Sequence, residues 1–414
     1  MGKKSFRFLW IGQTMANAGD ILFIVGLIST IYLLSGSALL MALLPFFNMT
    51  ARFISALLAP FLLDRMLLQR LLAFSQMGKT AVLFALAIFS GIYLTEELIW
   101  ALFIFVVVIA FLDGWASPAR NALIPRLVEK EELVKANSFI GVADQLVQLG
   151  MWPLGAIFAA WLGAQEVVWL TVGLYICSSF LMVLLMKSRE IKKAEIELNQ
   201  SKFEGFKEGW VAIVKSPFLF VISVSELIES NANVVWIAAI MFVYVAEVLQ
   251  AGEEWWGYIN SSFFAGLLLG GILGLRYSMR IEEKTRFLII VGALFTAAIT
   301  VVFALIESPL TALVLSALFG FCSQLKGVAQ QTLVQKRVAE RLLPKVYSAQ
   351  EAAYFSMFGL STLGFGYLTE IYGPRFIFLL AGGLLFASAV LLVVFRRHLT
   401  DAGSGSESSQ VVSS

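Results

Sequence analysis

The stretch "ALIPRLVEKEELVKANS" (122–138) has a counterpart 210 residues later, "TLVQKRVAERLLPKVYS" (332–348). The two align without gaps: Leu123 matches Leu333, Val128 Val338, Leu133 Leu343, Lys135 Lys345 and Ser138 Ser348. Each follows the fourth apolar run of a set of six, so the chain reads as one six-segment unit used twice. Repeats that run in the same direction imply two halves related by an axis along a membrane normal.

The apolar runs fall near 6–34, 38–63, 71–94, 97–118, 137–162, 166–187, 217–246, 255–279, 285–306, 309–330, 346–371 and 375–395. Crossing a bilayer as a helix takes about 20 residues. Composition agrees: 59% of residues are hydrophobic, 14% are charged, 35 are Phe, and the mean hydropathy is +0.85. A soluble domain carries about 25% charged residues, so this chain needs lipid as its solvent. The expected fold is all-α, with twelve transmembrane helices in two pseudo-symmetric six-helix halves, 1–187 and 217–397. Between them, 188–216 is a charged linker in which "FEGFKEGWVAIVK" (203–215) reads as an amphipathic helix on the membrane surface. The end of the chain, 398–414, reads as a disordered polar tail.

Basic residues orient the chain. With the N-terminus cytoplasmic, the inner loops carry Lys3, Lys4, Arg7, Arg65, Arg70, Arg120, Arg126, Lys130, Lys135 and the linker, then Arg276, Arg280, Lys284, Arg286, Lys336, Arg337, Arg341 and Lys345. The opposite loops carry Glu96, Glu97, Glu166, Glu247, Glu253, Glu254, Glu307 and Glu370, with Arg375 the one basic residue. Both termini are therefore expected inside a multi-pass protein of the plasma membrane. The start resembles a secretory signal, but its apolar run is long, contains Asp20 and continues to Leu34, which favours an uncleaved first span.

Several functions are disfavoured by what the chain lacks. Cys177 and Cys322 fall in spans and read as buried small residues, giving no disulfide framework. The single histidine, His398, lies in the last basic cluster, leaving little for a zinc or haem site. There is no Walker-type loop and no Gly-x-Ser-x-Gly in a suitable setting. No enzyme, no cofactor and no nucleic-acid partner is expected; the partners are the bilayer, a small-molecule substrate and protons, and the chain is expected to act as a monomer.

The segment "SPARNALIPRLVEKEELVKANSF" (117–139), with "GQ" at 12–13, "GD" at 19–20 and "SGSA" at 35–38, resembles the major facilitator superfamily. More narrowly, it resembles the drug-efflux branch containing macrolide exporters and the enterobactin exporter. That family's signature between spans two and three, Gly-x-x-x-Asp-Arg-x-Gly-Arg, stands here as "PFLLDRMLL" (60–68) and keeps Asp64 and Arg65. The resemblance implies a conformational gate at Asp64, with bonds from Arg65 or a neighbouring helix N-terminus. The antiporter pattern of the fifth span appears as "GMWPLGA" (150–156), keeping Gly150, Pro153 and Gly155 for close packing and a kink. The arginine common in the family's fourth span is missing, with apolar residues such as Ile109 at that depth. The implied function is proton-coupled efflux of an amphipathic drug-like or secondary-metabolite compound by alternating access. A siderophore or lipid exporter or an uptake symporter of the same fold is the alternative, and a receptor or membrane enzyme a remote one.

Charges inside spans are costly and face a cavity or a partner. The deep set is Asp20, Arg52, Lys79, Asp113, Asp144, Glu226, Glu229, Lys326 and Glu351. At 1.5 Å per residue from Phe218, Glu226 lies roughly 12 Å and Glu229 roughly 16 Å into a core about 30 Å thick. Like charges three residues apart disfavour joint ionisation. Asp20 shifted by the repeat interval lands on Ser230, beside Glu229. Asp20, Glu229, Glu226, Asp144 and Glu351 are therefore candidates for proton coupling, with Glu229 ahead of Glu226. Gln13, Asn17, Asn48, Gln145, Gln148, Asn231, Asn233 and Trp236 are candidate lining for the substrate cavity, with Trp152 a second flat wall. Alternatively Arg52 is a fixed partner of Asp20 or Glu229, and Lys79 serves Asp144 or reaches the surface. Asp113 and Lys326, near span ends, are expected to be structural.

Overall fold

The structure is a computed structural model and describes residues 4–35, 38–188, 202–236, 238–252 and 254–399. Most of the charged linker (189–201), the tail from 400 and two residues of the "SGS" loop (36–37) lie outside the described residues.

All regular structure among the described residues is helical. In the first half α1 spans Lys4–Ser35, α2 Ala38–Leu63, α3 Leu68–Ile92, α4 Ile99–Leu127, α5 Leu133–Trp161 and α6 Ala164–Lys187. The linker supplies α7, Lys202–Lys215. Then come α8 Pro217–Ala232, α9 Ala238–Glu247, α10 Glu254–Arg276, α11 Ser278–Glu283, α12 Thr285–Leu305, α13 Pro309–Arg337 and α14 Leu343–Val394. Ten segments of the described residues are long and apolar enough to cross a membrane. Of these, α14 has 52 residues, more than one crossing needs, and is broken at Gly373, whose φ of 79° suits a residue without a Cβ. Pro374 restarts the helix, its missing N–H being no loss in a first turn. The 29-residue α5 is not among the ten, and its polar side chains include Lys135, Asn137, Asp144, Gln145 and Gln148.

Local chemistry sets several boundaries. Ser216 and Ser308 cap α8 and α13, each accepting a backbone N–H three residues on and each followed by proline. The seventh run, expected to be continuous over 217–246, is interrupted: α8 ends at Ala232 and a tight turn covers Asn233–Trp236. Ser230 and Asn231 both bond the Leu227 carbonyl, at 2.8 and 2.7 Å, so side chains compete for the acceptors at the end of the helix.

The chain divides into two compact units. Unit 1 holds 1–129, 142–210 and 341–356; unit 2 holds 130–141, 211–340 and 357–414. Each repeat segment thus belongs, around its lysine and serine, to the unit built mainly from the other half of the sequence. In unit 2, Val134 packs with Ile281, Leu325 and Val328, and Asn137 donates to Gln335 at 2.7 Å and Thr332 at 3.0 Å. In unit 1, Ser348 donates to the carbonyl of Ala56 at 2.5 Å.

The core of unit 1 joins Phe23, Leu27 and Ile31 of α1 to Leu83 and Leu86 of α3, Leu102 and Val106 of α4, and Val168 and Val172 of α6. In unit 2, α10 and α13 touch through glycines. A Cβ on Gly266 would stand 2.8 Å from the Ala317 carbonyl carbon, and one on Gly320 would stand 3.0 Å from the Leu267 nitrogen. Backbone cannot yield as a flexible side chain does, so Gly320→Val is expected to cost at least about 1–3 kcal/mol. A fall of several degrees in the detergent melting temperature checks this. Gly150, with nothing within 4 Å of a Cβ, supplies the contrast, and Gly150→Ala should leave the melt unchanged or raise it.

Candidate functional site

In unit 1, small side chains decide which polar groups face one another. A Cβ on Gly19 would stand 2.7 Å from the Tyr175 ring, so α1 and α6 are in close contact there. Gly114 of α4 would likewise meet the Ser55 Cβ of α2 at 2.7 Å, and Ser55 donates to the Phe111 carbonyl at 2.5 Å. Ser75 ties α3 to α4 through the Leu112 carbonyl, 2.8 Å away. Held this way, Lys79, 1% exposed, donates to Asp20 at 3.0 Å and to Asp113 at 2.7 Å. Arg52 takes the other Asp113 oxygen at 2.6 Å, and its Nε donates to Asn48 at 3.0 Å. The Tyr175 hydroxyl donates to Asp20. Two cations thus face two carboxylates.

A second polar group in unit 1 has no such balance. Gln13 donates to Asn17 at 2.8 Å, and Asn17 to Asp144 at 2.7 Å. Ser117 donates to Glu351 at 2.7 Å, while the other Glu351 oxygen is buried with no hydrogen-bond partner among the described residues. Neither Asp144 nor Glu351 forms an ion pair among the described residues. Arg120, one turn beyond Ser117, acts electrostatically on Asp113, Asp144 and Glu351. Its own Nε is buried without a hydrogen-bond partner among the described residues, as is the amide oxygen of Gln145. Gln148 accepts from Trp152 at 3.1 Å.

Unit 2 repeats the division. Glu229 is paired with Lys326 and accepts from Ser388 at 2.7 Å and Ser225 at 3.0 Å. Glu226, on the same helix, accepts from the Gln330 amide at 2.7 Å and forms no ion pair among the described residues. Asn231 accepts from Ser361, whereas the Asn233 side-chain oxygen is buried without a partner among the described residues. One interval of 213 residues carries Asp113 to Lys326 and Tyr175 to Ser388. Both units therefore build a charge centre on the first, fourth and sixth helices of the repeat, with different residues.

The comparisons bear on what such centres serve. A profile described as Major Facilitator Superfamily matches residues 9–362. The chain belongs to the Major Facilitator Superfamily. This facilitator is 27% identical over 387 residues to the uncharacterized MFS-type transporter YfmI of Bacillus subtilis (strain 168), covering 94% of this chain and 95% of the relative. It is 25% identical over 401 residues to YjbB of the same organism, another uncharacterized MFS-type transporter, covering 95% and 98%. In fold it is similar to a bacterial homologue of the iron transporter ferroportin in the outward-facing state, with a TM-score of 0.78 and 13% identity over 95% of this chain and 99% of that one. It is also similar to the proton:xylose symporter XylE, with a TM-score of 0.73 and 14% identity over 95% of each chain. The protein is thus an all-α, multi-span membrane transporter of a small molecule, working as a secondary-active carrier and not as an enzyme.

Within this facilitator several expectations are corrected. Arg52 does not serve Asp20 or Glu229: Gly114 and Ser55 bring α2 onto α4, which sets Arg52 against Asp113. Lys79 serves Asp20 and Asp113, not Asp144, and does not reach the surface. Asp113 and Lys326, expected to be structural near span ends, each anchor a charge centre, Asp113 with Lys79 and Arg52 and Lys326 with Glu229. Trp236 is packed, stacked on Phe319 at 4.2 Å among Phe263, Phe303 and Phe378, and is no flat wall. Arg65 is exposed, and the cation on Asp64 is Lys345 at 2.5 Å. Of the fifth-helix glycines, Gly155 packs on Leu22 and Val25, a Cβ meeting them at 3.1 and 3.2 Å, while Gly150 faces open space and Pro153 lies within α5.

Removing one partner of a buried pair costs about 3–5 kcal/mol, because a charge is left behind. Lys326→Met should therefore lower the melting temperature markedly, and adding Glu229→Gln should restore part of the loss. Outside the spans, Glu208 of α7 is bonded by Lys345 and by Arg341 at 2.6 Å. Burial alone would raise this carboxyl, but those bonds and charges outweigh burial and hold it below its ordinary value of 4.5. A depressed native value means that its contribution is full above about pH 4.5 and fades as pH falls through the lower native value. Amide exchange in 207–210 should accordingly be flat from pH 8 to 5, once corrected for intrinsic rates, and rise in stronger acid.

Proposed function

We propose that the protein is a proton-coupled secondary carrier that moves a small organic molecule by alternating access, with Glu226, Glu351 and Asp144 as its proton-carrying acids. One observation carries this reading. Six acids lie in the spans, and Asp20, Asp113 and Glu229 have cations, whereas Glu226, Glu351 and Asp144 have amide or hydroxyl donors instead. An acid locked to a cation stays ionised through a cycle. An acid held by neutral donors can gain and lose a proton without stranding a buried charge. Glu226 thus replaces Glu229 as the leading candidate on α8, and Asp20 becomes structural.

Two broken or polar helices support twelve crossings: α14 as two arms either side of Gly373, and α5 as a polar span. The basic loops support a reading with both termini on the cytoplasmic side of the plasma membrane, and the carrier is proposed to act as a monomer. Six acids against the four bases Arg52, Lys79, Arg120 and Lys326 favour neutral or cationic cargo over anionic. Export of an amphipathic compound in exchange for protons is the direction implied by the segment 117–139. Uptake symport uses the same acids, and export of a siderophore or a lipid fits the same fold; the fold alone does not select among them.

Proteoliposomes containing a pH-sensitive dye test the proposal. Glu226→Gln and Glu351→Gln should abolish substrate-linked proton movement while melting like the parent, whereas Glu229→Gln should melt lower. Coupled proton movement persisting in E226Q, E351Q and D144N together would sink it. The sign of the proton movement relative to an imposed substrate gradient separates exchange from symport.

A further inference from the structure

The helix α7 is built with two faces. On a helix of 3.6 residues per turn, Lys207, Val211, Val214 and Lys215 fall within an arc of about 100°. All four are exposed, Val211 by 43% and Val214 by 68%. Over 207–215 no acid lies on that arc, although Glu204, a turn earlier, falls on it by position, and neither lysine forms an ion pair among the described residues. Gly209 lies on the opposite side, where a Cβ would stand 2.8 Å from the Lys345 carbonyl carbon. Glu208, at the edge, is bonded to Lys345 and Arg341. Lys345, 3% exposed, also holds Asp64. The matching lysine of the first repeat, Lys135, is exposed. The repeat therefore loses its symmetry where the linker docks.

We propose that the outer face of α7 binds the anionic headgroups of the bilayer, and that through Glu208 this contact steadies Lys345 and its pair with Asp64. Position argues for lipid as the occupant, since α7 ends at Lys215 and a membrane-length segment begins at Pro217. Charge argues for anionic lipid, since two lysines flank two exposed valines, the pattern of a helix lying in the headgroup layer. Both contacts are made by two and a half turns of one helix, so lipid charge on one side is felt as order on the other. This surface does not depend on which acids carry protons or on what is transported.

Hydrogen exchange in nanodiscs tests the proposal on the full chain. Replacing about a third of a phosphatidylcholine bilayer with phosphatidylglycerol should slow exchange over 207–215 by about five-fold, the scale of one basic side chain at an anionic surface. Exchange over 343–350 should slow as well. K207Q/K215Q should remove both effects. E208Q should keep the effect at 207–215 and lose it at 343–350. Equal exchange in the two bilayers, or protection that follows protein concentration and not lipid charge, as a second copy of the chain would give, overturns the lipid assignment. Slowing at 343–350 that survives in E208Q overturns the link to Lys345. No readout involves transport, so this proposal and the proton-coupling reading fail separately.

Discussion

A buried lysine organises the first unit. Lys79 joins carboxylates from α1 and α4, and Arg52 from α2 completes the balance. In hydrocarbon no water can take over a lost partner, so the helices that bring these groups must meet in one register. The glycines at 19 and 114 exist in service of that meeting: any side chain there would push α1 from α6, or α4 from α2. Lys326 and Glu229 impose the same discipline on the second unit.

Once these pairs are recognised, the remaining polar groups sort themselves. Asp144, Glu226 and Glu351 are left with donors that carry no charge. Charge pairing is thus the rivet of each unit, and the proposed proton carriers are the acids it leaves over. Neutral donors also leave such a carboxyl room to change partners, which a two-point lysine clamp does not.

Much of the fold was legible in the sequence. Apolar runs mark the helices, because bilayer thickness and backbone satisfaction leave few alternatives. The interruption after Ala232 was harder to see. Its cause is local, Ser230 and Asn231 bonding back to one carbonyl, and hydropathy does not register it. The break at Gly373 was easier, since a Gly-Pro pair marks a boundary in any helix.

The site was legible as a set and not as a circuit. All six acids were visible, since any acid in an apolar run stands out. Their pairing was not: a lysine side chain reaches several helices, and helix rotation decides which acid it meets. Asp113 and Lys326 could be found in the sequence but not ranked, and the exchange of 130–141 and 341–356 between units is invisible to any local pattern. The sequence by itself determined the solvent, the helices and the repeat, because those follow from the polarity and spacing of neighbouring residues. Only the tertiary structure decided that Glu229 is clamped and Glu226 is not, because three residues on one helix turn the two carboxyls toward different neighbours.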